Sequence, residues 1–113
     1  MGRYKLVVLT NPIEGQDREY NEWYDNQHLA DVVDVPGFKS AQRFRLRDPM
    51  GYHHAQRHLA IYEIETDDPD AAIAALQGRR GTDVMRLSDA LDLDTSVAGL
   101  FEACSPVVTT TNG

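Results

Sequence analysis

From Tyr4 to Thr10 the chain reads Tyr-Lys-Leu-Val-Val-Leu-Thr, aliphatic enough for a strand, and Asn11-Pro12 with Gly15 ends it. Tyr4, Leu6 and Val8 alternate there with Lys5, Val7 and Leu9, so apolar side chains fall on both faces. From Asp17 to about Val33 the spacing changes to three and four. Tyr20, Trp23, Tyr24, Gln27, His28 and Asp31 then share one arc of a helix that Asp17 can cap, with Glu19 in its first turn to suit the dipole. Pro36-Gly37 stops it.

Phe38 to Leu46 alternates as a second strand, with Phe38, Ser40, Gln42, Phe44 and Leu46 on one face and Lys39, Ala41, Arg43 and Arg45 on the other. After a turn at Asp48-Pro49-Met50-Gly51 and a polar link, His58 to Glu65 forms a third strand. Asp68 caps the next helix, Pro69 suits its first position, Ala71 to Leu76 propagate it, and Gly78 closes it. Arg79 to Asp94 places Leu87, Ala90 and Leu91 among many charges, which fits a short helix or an exposed loop. Val97 to Ala103 is the last strand.

The order is β-α-β-β-α-β, the split βαβ arrangement, which predicts an α+β fold: a four-stranded antiparallel sheet with both helices on one face. Residues 1–104 make one such domain, and 105–113, SPVVTTTNG, a C-terminal tail. The uncovered sheet face still needs a partner. A second copy of the sheet is the simplest cover, so a homodimer is expected.

A chain of 113 residues allows one domain with a modest core. The net charge of −7, with no basic block longer than Arg79-Arg80, argues against nucleic acid as a partner. No stretch approaches the roughly 20 apolar residues of a membrane span, and the opening MGRYKLVVLT lacks a long apolar leader core; a cytoplasmic protein is expected. Cys104, the single cysteine, excludes an intrachain disulfide and a cysteine zinc cluster, and its apolar surroundings read as core.

The candidate chemistry sits on the first helix. His28 has the one side chain of that arc that ordinarily titrates near neutrality, so it can take and return a proton. Tyr24, four residues before it, and Asp31, three after, are spaced to orient the ring or stabilise its cation. The plainer alternative is a histidine satisfied within the core. Trp23 and Tyr20 read as core or pocket wall. On the strands, Arg43, beside Phe44, can bind a carboxylate or enolate if turned inward, although Arg43-Arg45-Arg47 more simply forms a solvated or subunit-facing edge. Tyr62 alternates with Ala60 and Ile64 and can donate to a ligand or simply pack. His53, His54 and His58 are close in sequence, yet their spacing fits no recognised metal site and no metal is expected. Gly78-Arg79-Arg80-Gly81 is a helix stop without a phosphate-cradling pattern, so no nucleotide cofactor is expected either.

The run EYNEWYDNQHLADVVDVPGFKSAQRFRL, followed by HLAIYEIE, resembles the EthD-like small proteins of the dimeric α/β-barrel superfamily, in which a helix bearing W-Y-x-x-x-H-x-P-D leads into V-P-G-F and a strand with R-[FY]. The resemblance spans the first helix through the third strand, a bit under half the chain. This sequence has Ala30 where that motif often has proline. The resemblance implies a ferredoxin-like protomer whose sheet meets its partner's in a dimer barrel. It also implies a pocket between sheet and helices, with His28 as the group's helical histidine and Trp23, Tyr24 and Asp31 as its neighbours. Such proteins include cofactor-independent monooxygenases, cyclases, isomerases, decarboxylases and haem enzymes, so the fold does not fix the chemistry. The expectation drawn is a cofactor-independent lyase, isomerase or cyclase acting on a small hydrophobic, aromatic or polyketide-like carbonyl compound, with His28 as general acid or base. Tyr24 and Asp31 would assist it, and Trp23, Tyr20, Arg43, Phe44 and Tyr62 would bind the substrate. A non-catalytic binder using the same pocket is the alternative, followed by haem binding through His28 or His58 and by a cofactor-free monooxygenase.

Overall fold

The computed structural model describes residues 1–111. Strand β1 (Gly2–Thr10) is central in a four-stranded antiparallel sheet, between β3 (His58–Thr66) and the edge strand β4 (Val97–Glu102). The other edge, β2 (Phe38–Arg45), pairs with β3, giving the order β2-β3-β1-β4 expected of a split βαβ chain. Both helical segments lie on one face. The first comprises α1 (Asp17–Trp23), a π-helical turn (Tyr24–His28) and α2 (Leu29–Val33); the second is α3 (Pro69–Arg79).

The period-two pattern of β1 and β3 decides the core. Leu6, Ala60, Tyr62 and Ile64 point toward the helices and pack with Tyr20, Tyr24, Val32, Val35 and Ala72. Asp68 caps α3 as expected, its Oδ1 accepting the amide of Ala71 at 3.0 Å, with Pro69 at the first position. The other helix starts differently: Gln16 holds the cap position without a side-chain bond, and Asp17 is already helical, 4.0 Å from Arg57. Gly78 does not close α3, which runs to Arg79 before Gly81 takes a left-handed φ of 80°. Gly37 has φ 95° in the tight exit from α2, a conformation an L side chain rarely adopts.

One irregularity changes the reading of β2. Phe38 pairs with Ile64 and Ser40 with Glu63, so a bulge at Lys39 shifts the alternation by one residue. Phe38, Ala41 and Arg43 therefore share the helix side, while Ser40, Gln42 and Phe44 face away. The opposite sheet face carries Val7, Leu9, Leu59, Ile61, Phe44, Val97 and Phe101 around a Lys5–Glu63 ion pair of 3.0 Å. Phe44 is 42% exposed and Phe101 59%.

Residues 81–96 are neither helix nor strand, yet Met85, Ala90 and Leu91 are buried. This loop is pinned beside β1: Leu91 bridges Pro12, and the amide of Ile13 donates to the Ala90 carbonyl at 2.7 Å. Cys104 is exposed rather than part of the core, because β4 ends at Glu102 and residues 103–111 run on without strand or helix. The last two residues of the expected tail, 112 and 113, lie outside the described residues. No helix among the described residues is long and apolar enough to cross a membrane.

Candidate functional site

Between the sheet and the helices lies a cavity of about 510 Å³. Leu6, Val8 and Thr10 of β1 and Tyr62 of β3 form its floor, with Ala98 and Leu100 of β4 at the side. Trp23, Tyr24, His28 and Val32 come from the first helical segment, Ile73, Leu76, Gln77 and Arg80 from α3 and its end, and Met85 and Leu91 from the loop. None of the eighteen acidic residues of the chain lines it.

The π-helical turn arranges the wall. Trp23 and His28 are five positions apart, a spacing that an α-helix turns to different faces. Here the Leu29 amide bonds back to the Tyr24 carbonyl, an i→i+5 turn, and the two rings stack with centroids 4.4 Å apart and planes 23° from parallel. Tyr24 meets the same imidazole edge-on at 5.2 Å. The Trp23 indole donates to the Arg86 carbonyl at 3.0 Å, which ties the helix to the loop. The next residue on the wall after His28 is Val32. Asp31 neither lines the cavity nor hydrogen-bonds to His28, so the orienting role expected of it has no contact behind it.

Two polar atoms beside the cavity have no protein partner: the buried Nδ1 of His28 and the buried hydroxyl of Tyr62. Tyr24 is the neighbour of that hydroxyl, but the two do not close a hydrogen bond. Burial, reinforced by the positive charge of Arg80, lowers the His28 pKa to about 4, so the imidazole is neutral at pH 7. Burial raises the phenol pKa of Tyr24, and burial with the adjacent Tyr24 does the same for Tyr62, so both remain hydrogen-bond donors.

Tyr20 is fully buried, with its hydroxyl bonded to Thr10, and belongs to the core beside the cavity rather than to its wall. Arg43 is turned inward by the Lys39 bulge, against the expectation of a solvated edge. Its guanidinium stands 4.6 Å from the Tyr24 ring centre and 5.2 Å from that of Tyr20, donating to Asp25 at 2.7 Å and Asn21 at 2.8 Å. It braces the helix against β2 from outside the cavity. Phe44, expected at the substrate, lies on the opposite sheet face for the same reason. The His58 ring lies tilted against Tyr20, centroids 5.0 Å apart, and 3.4 Å from Arg43, while His53 and His54 are on the exposed link, so the three imidazoles do not converge. No cluster of three or more potential metal ligands occurs among the described residues.

Sequence reasoning missed Arg80, Gln77, Met85 and Leu91. Arg80 reads in the sequence as part of a helix stop, and no local signal distinguishes it from Arg79, which turns away to Asp34 at 3.3 Å.

No family model matches the sequence, and no curated protein does. Solved structures match over nearly the whole chain. A putative monooxygenase from Shewanella loihica is 14% identical, with 93% of this chain and 97% of that one aligned at a TM-score of 0.64. The heme-degrader MhuD of Mycobacterium tuberculosis, solved with two hemes in its active site, is 20% identical over 93% of this chain and 99% of its own, with a TM-score of 0.58. An EthD family protein from Bacillus halodurans aligns over 91% and 99% of the two chains at 17% identity and a TM-score of 0.49. At these identities the likeness is one of fold. The chain has a ferredoxin-like fold, a four-stranded antiparallel sheet with both helical segments on one face, which is the protomer fold that the resemblance implies.

Proposed function

We propose that the protein is an enzyme of lyase, isomerase or cyclase type that works without a cofactor on a small apolar carbonyl compound, aromatic or polyketide-like, held in the cavity. One observation carries the reading: the two buried polar side-chain atoms left unpartnered among the described residues, His28 Nδ1 and the Tyr62 hydroxyl, belong to side chains lining the same apolar cavity. A buried polar group without a partner costs about 1–3 kcal/mol, so a small turn of either side chain toward a ligand in the cavity would satisfy it and add to the binding.

The neutral imidazole accepts a proton from the carbon next to the carbonyl, and the Tyr62 hydroxyl donates to the carbonyl oxygen as negative charge gathers there. Burial opposes an imidazolium, but an enolate formed beside it offsets that cost, and the stacked Trp23 face favours the cation. Returning the proton to another atom of the enolate completes an isomerisation; in a cyclisation the enolate carbon first bonds to a second carbonyl carbon of the same compound, and the proton goes to the alkoxide oxygen so formed. The same reading has the protein act in the cytoplasm as a homodimer that covers the apolar sheet face. A non-catalytic binder would use the same cavity and differ in showing no turnover.

The single tryptophan is on the cavity wall, so its fluorescence reports occupancy. Titration with 2-tetralone, an aromatic ketone, should change Trp23 emission saturably, and Ala98→Trp, read through near-ultraviolet circular dichroism of the bound ketone, should abolish binding. A linear, unsaturable response in the wild type would count against the cavity as a ligand site.

Haem is a second reading, suggested by the heme-degrading neighbour and by one feature of the donor set. His28 is the sole imidazole on the wall and is neutral, the form that ligates iron. His28 would hold the iron, and the haem would supply oxygen and electron-transfer chemistry. A Soret band shifted on adding hemin to the wild type and unshifted with His28→Gln would favour that reading, whereas identical spectra with and without the protein would remove it.

A further inference from the structure

Among the described residues, Arg80 is the one permanently charged side chain on the cavity wall. It follows the last residue of α3, where the backbone leaves the helix, and it is exposed, so it stands at the mouth rather than inside. Among the described residues it makes no ion pair, whereas the adjacent Arg79 is taken by Asp34. In a chain with eighteen acidic residues and a net charge of −7, an arginine without a carboxylate partner is a charge left available. The wall around it offers no competing carboxylate, and Gln77, one turn earlier on α3, adds an uncharged amide. The rest of the lining is apolar and aromatic apart from His28 and a few hydroxyls.

We infer that the cavity selects anionic ligands, compounds with a flat apolar body and a carboxylate at one end, and that Arg80 receives the carboxylate at the mouth with Gln77 as a second donor. The inference rests on the proposed use of the cavity as a ligand site. A guanidinium fork matches a carboxylate with two parallel hydrogen bonds, and charge-assisted bonds of this kind are about twice as strong as neutral ones. The apolar body supplies affinity by burial, and the carboxylate fixes which end enters. The carbonyl end is thereby directed toward His28 and Tyr62.

Calorimetric titration with 2-naphthoate and its uncharged isostere 2-naphthamide tests this in the full chain. The wild type should bind 2-naphthoate on the order of 10-fold more tightly, with the advantage shrinking as salt is raised. Arg80→Gln should bring 2-naphthoate down to the level of 2-naphthamide while leaving 2-naphthamide unchanged, which also shows that the variant is folded. Arg79→Gln, off the cavity, should alter neither. Equal binding of the two compounds by the wild type, or an advantage that survives in Arg80→Gln, would overturn the inference while leaving the cavity as a ligand site. If neither compound binds, the ligand-site reading fails and the inference with it.

Discussion

His28→Gln should leave the protein folded and cut turnover of a carbonyl substrate by about 10²–10⁴-fold, the usual contribution of a positioned general base. Glutamine keeps the size and some hydrogen bonding but cannot accept the proton. In the wild type the acid limb of kcat/KM should lie near pH 4, where the buried imidazole titrates, rather than near 6.5. The same lowered pKa links His28 to stability. Between pH 4 and 6.5 the unfolded chain protonates this histidine and the folded one does not, so the folded state loses stability as pH falls from 6.5 toward 4 and holds its full share above 6.5. The loss attributable to this group is on the order of 3 kcal/mol. Urea midpoints of wild type and His28→Gln at pH 5 and pH 7.5 isolate it, since the carboxylates titrate alike in both. The wild type should lose more on acidification. A variant that unfolds at every pH would make His28 a packing residue. Asp31→Asn should change neither turnover nor the acid limb, because Asp31 makes no contact with the ring.

Placing aspartate at both Phe44 and Phe101 should turn a dimer into a monomer at micromolar concentration, weakening association by 100-fold or more. Both rings sit on the sheet face opposite the helices, largely exposed, beside Val7, Leu9, Leu59 and Ile61. A patch of that kind marks an interface. In a twofold assembly each substitution acts twice, burying unpaired carboxylates that cost several kcal/mol. Light scattering should give twice the protomer mass for the wild type and the single mass for the variant. A wild type that is a stable monomer would contradict the dimer outright.

The order of elements was legible because it rests on long periodic runs: aliphatic alternation in β1 and β3, and an Asp-Pro start followed by alanines in α3. The aromatic arc was legible too, and Trp23, Tyr24 and His28 do meet. What local pattern could not supply was phase. One extra residue at Lys39 reversed which face Arg43 and Phe44 occupy, and one π turn moved the wall from Asp31 to Val32. Neither insertion leaves a mark in the sequence, since its hydrogen bonds are decided by packing against β3 and the loop. The loop itself reads as charged and solvated, yet Met85 and Leu91 are buried because tertiary pinning to β1 outweighs its composition.

His28 is proposed to move a proton of a carbonyl compound bound in the cavity. The most direct test of this is hydrogen–deuterium exchange at the carbon beside the carbonyl of 2-tetralone, followed by proton NMR in heavy water at neutral pH. With the wild type, exchange should run well above the buffer rate, saturate with ketone, and return to the buffer rate with His28→Gln. Exchange at the buffer rate with the wild type, or equal acceleration by His28→Gln, would contradict it.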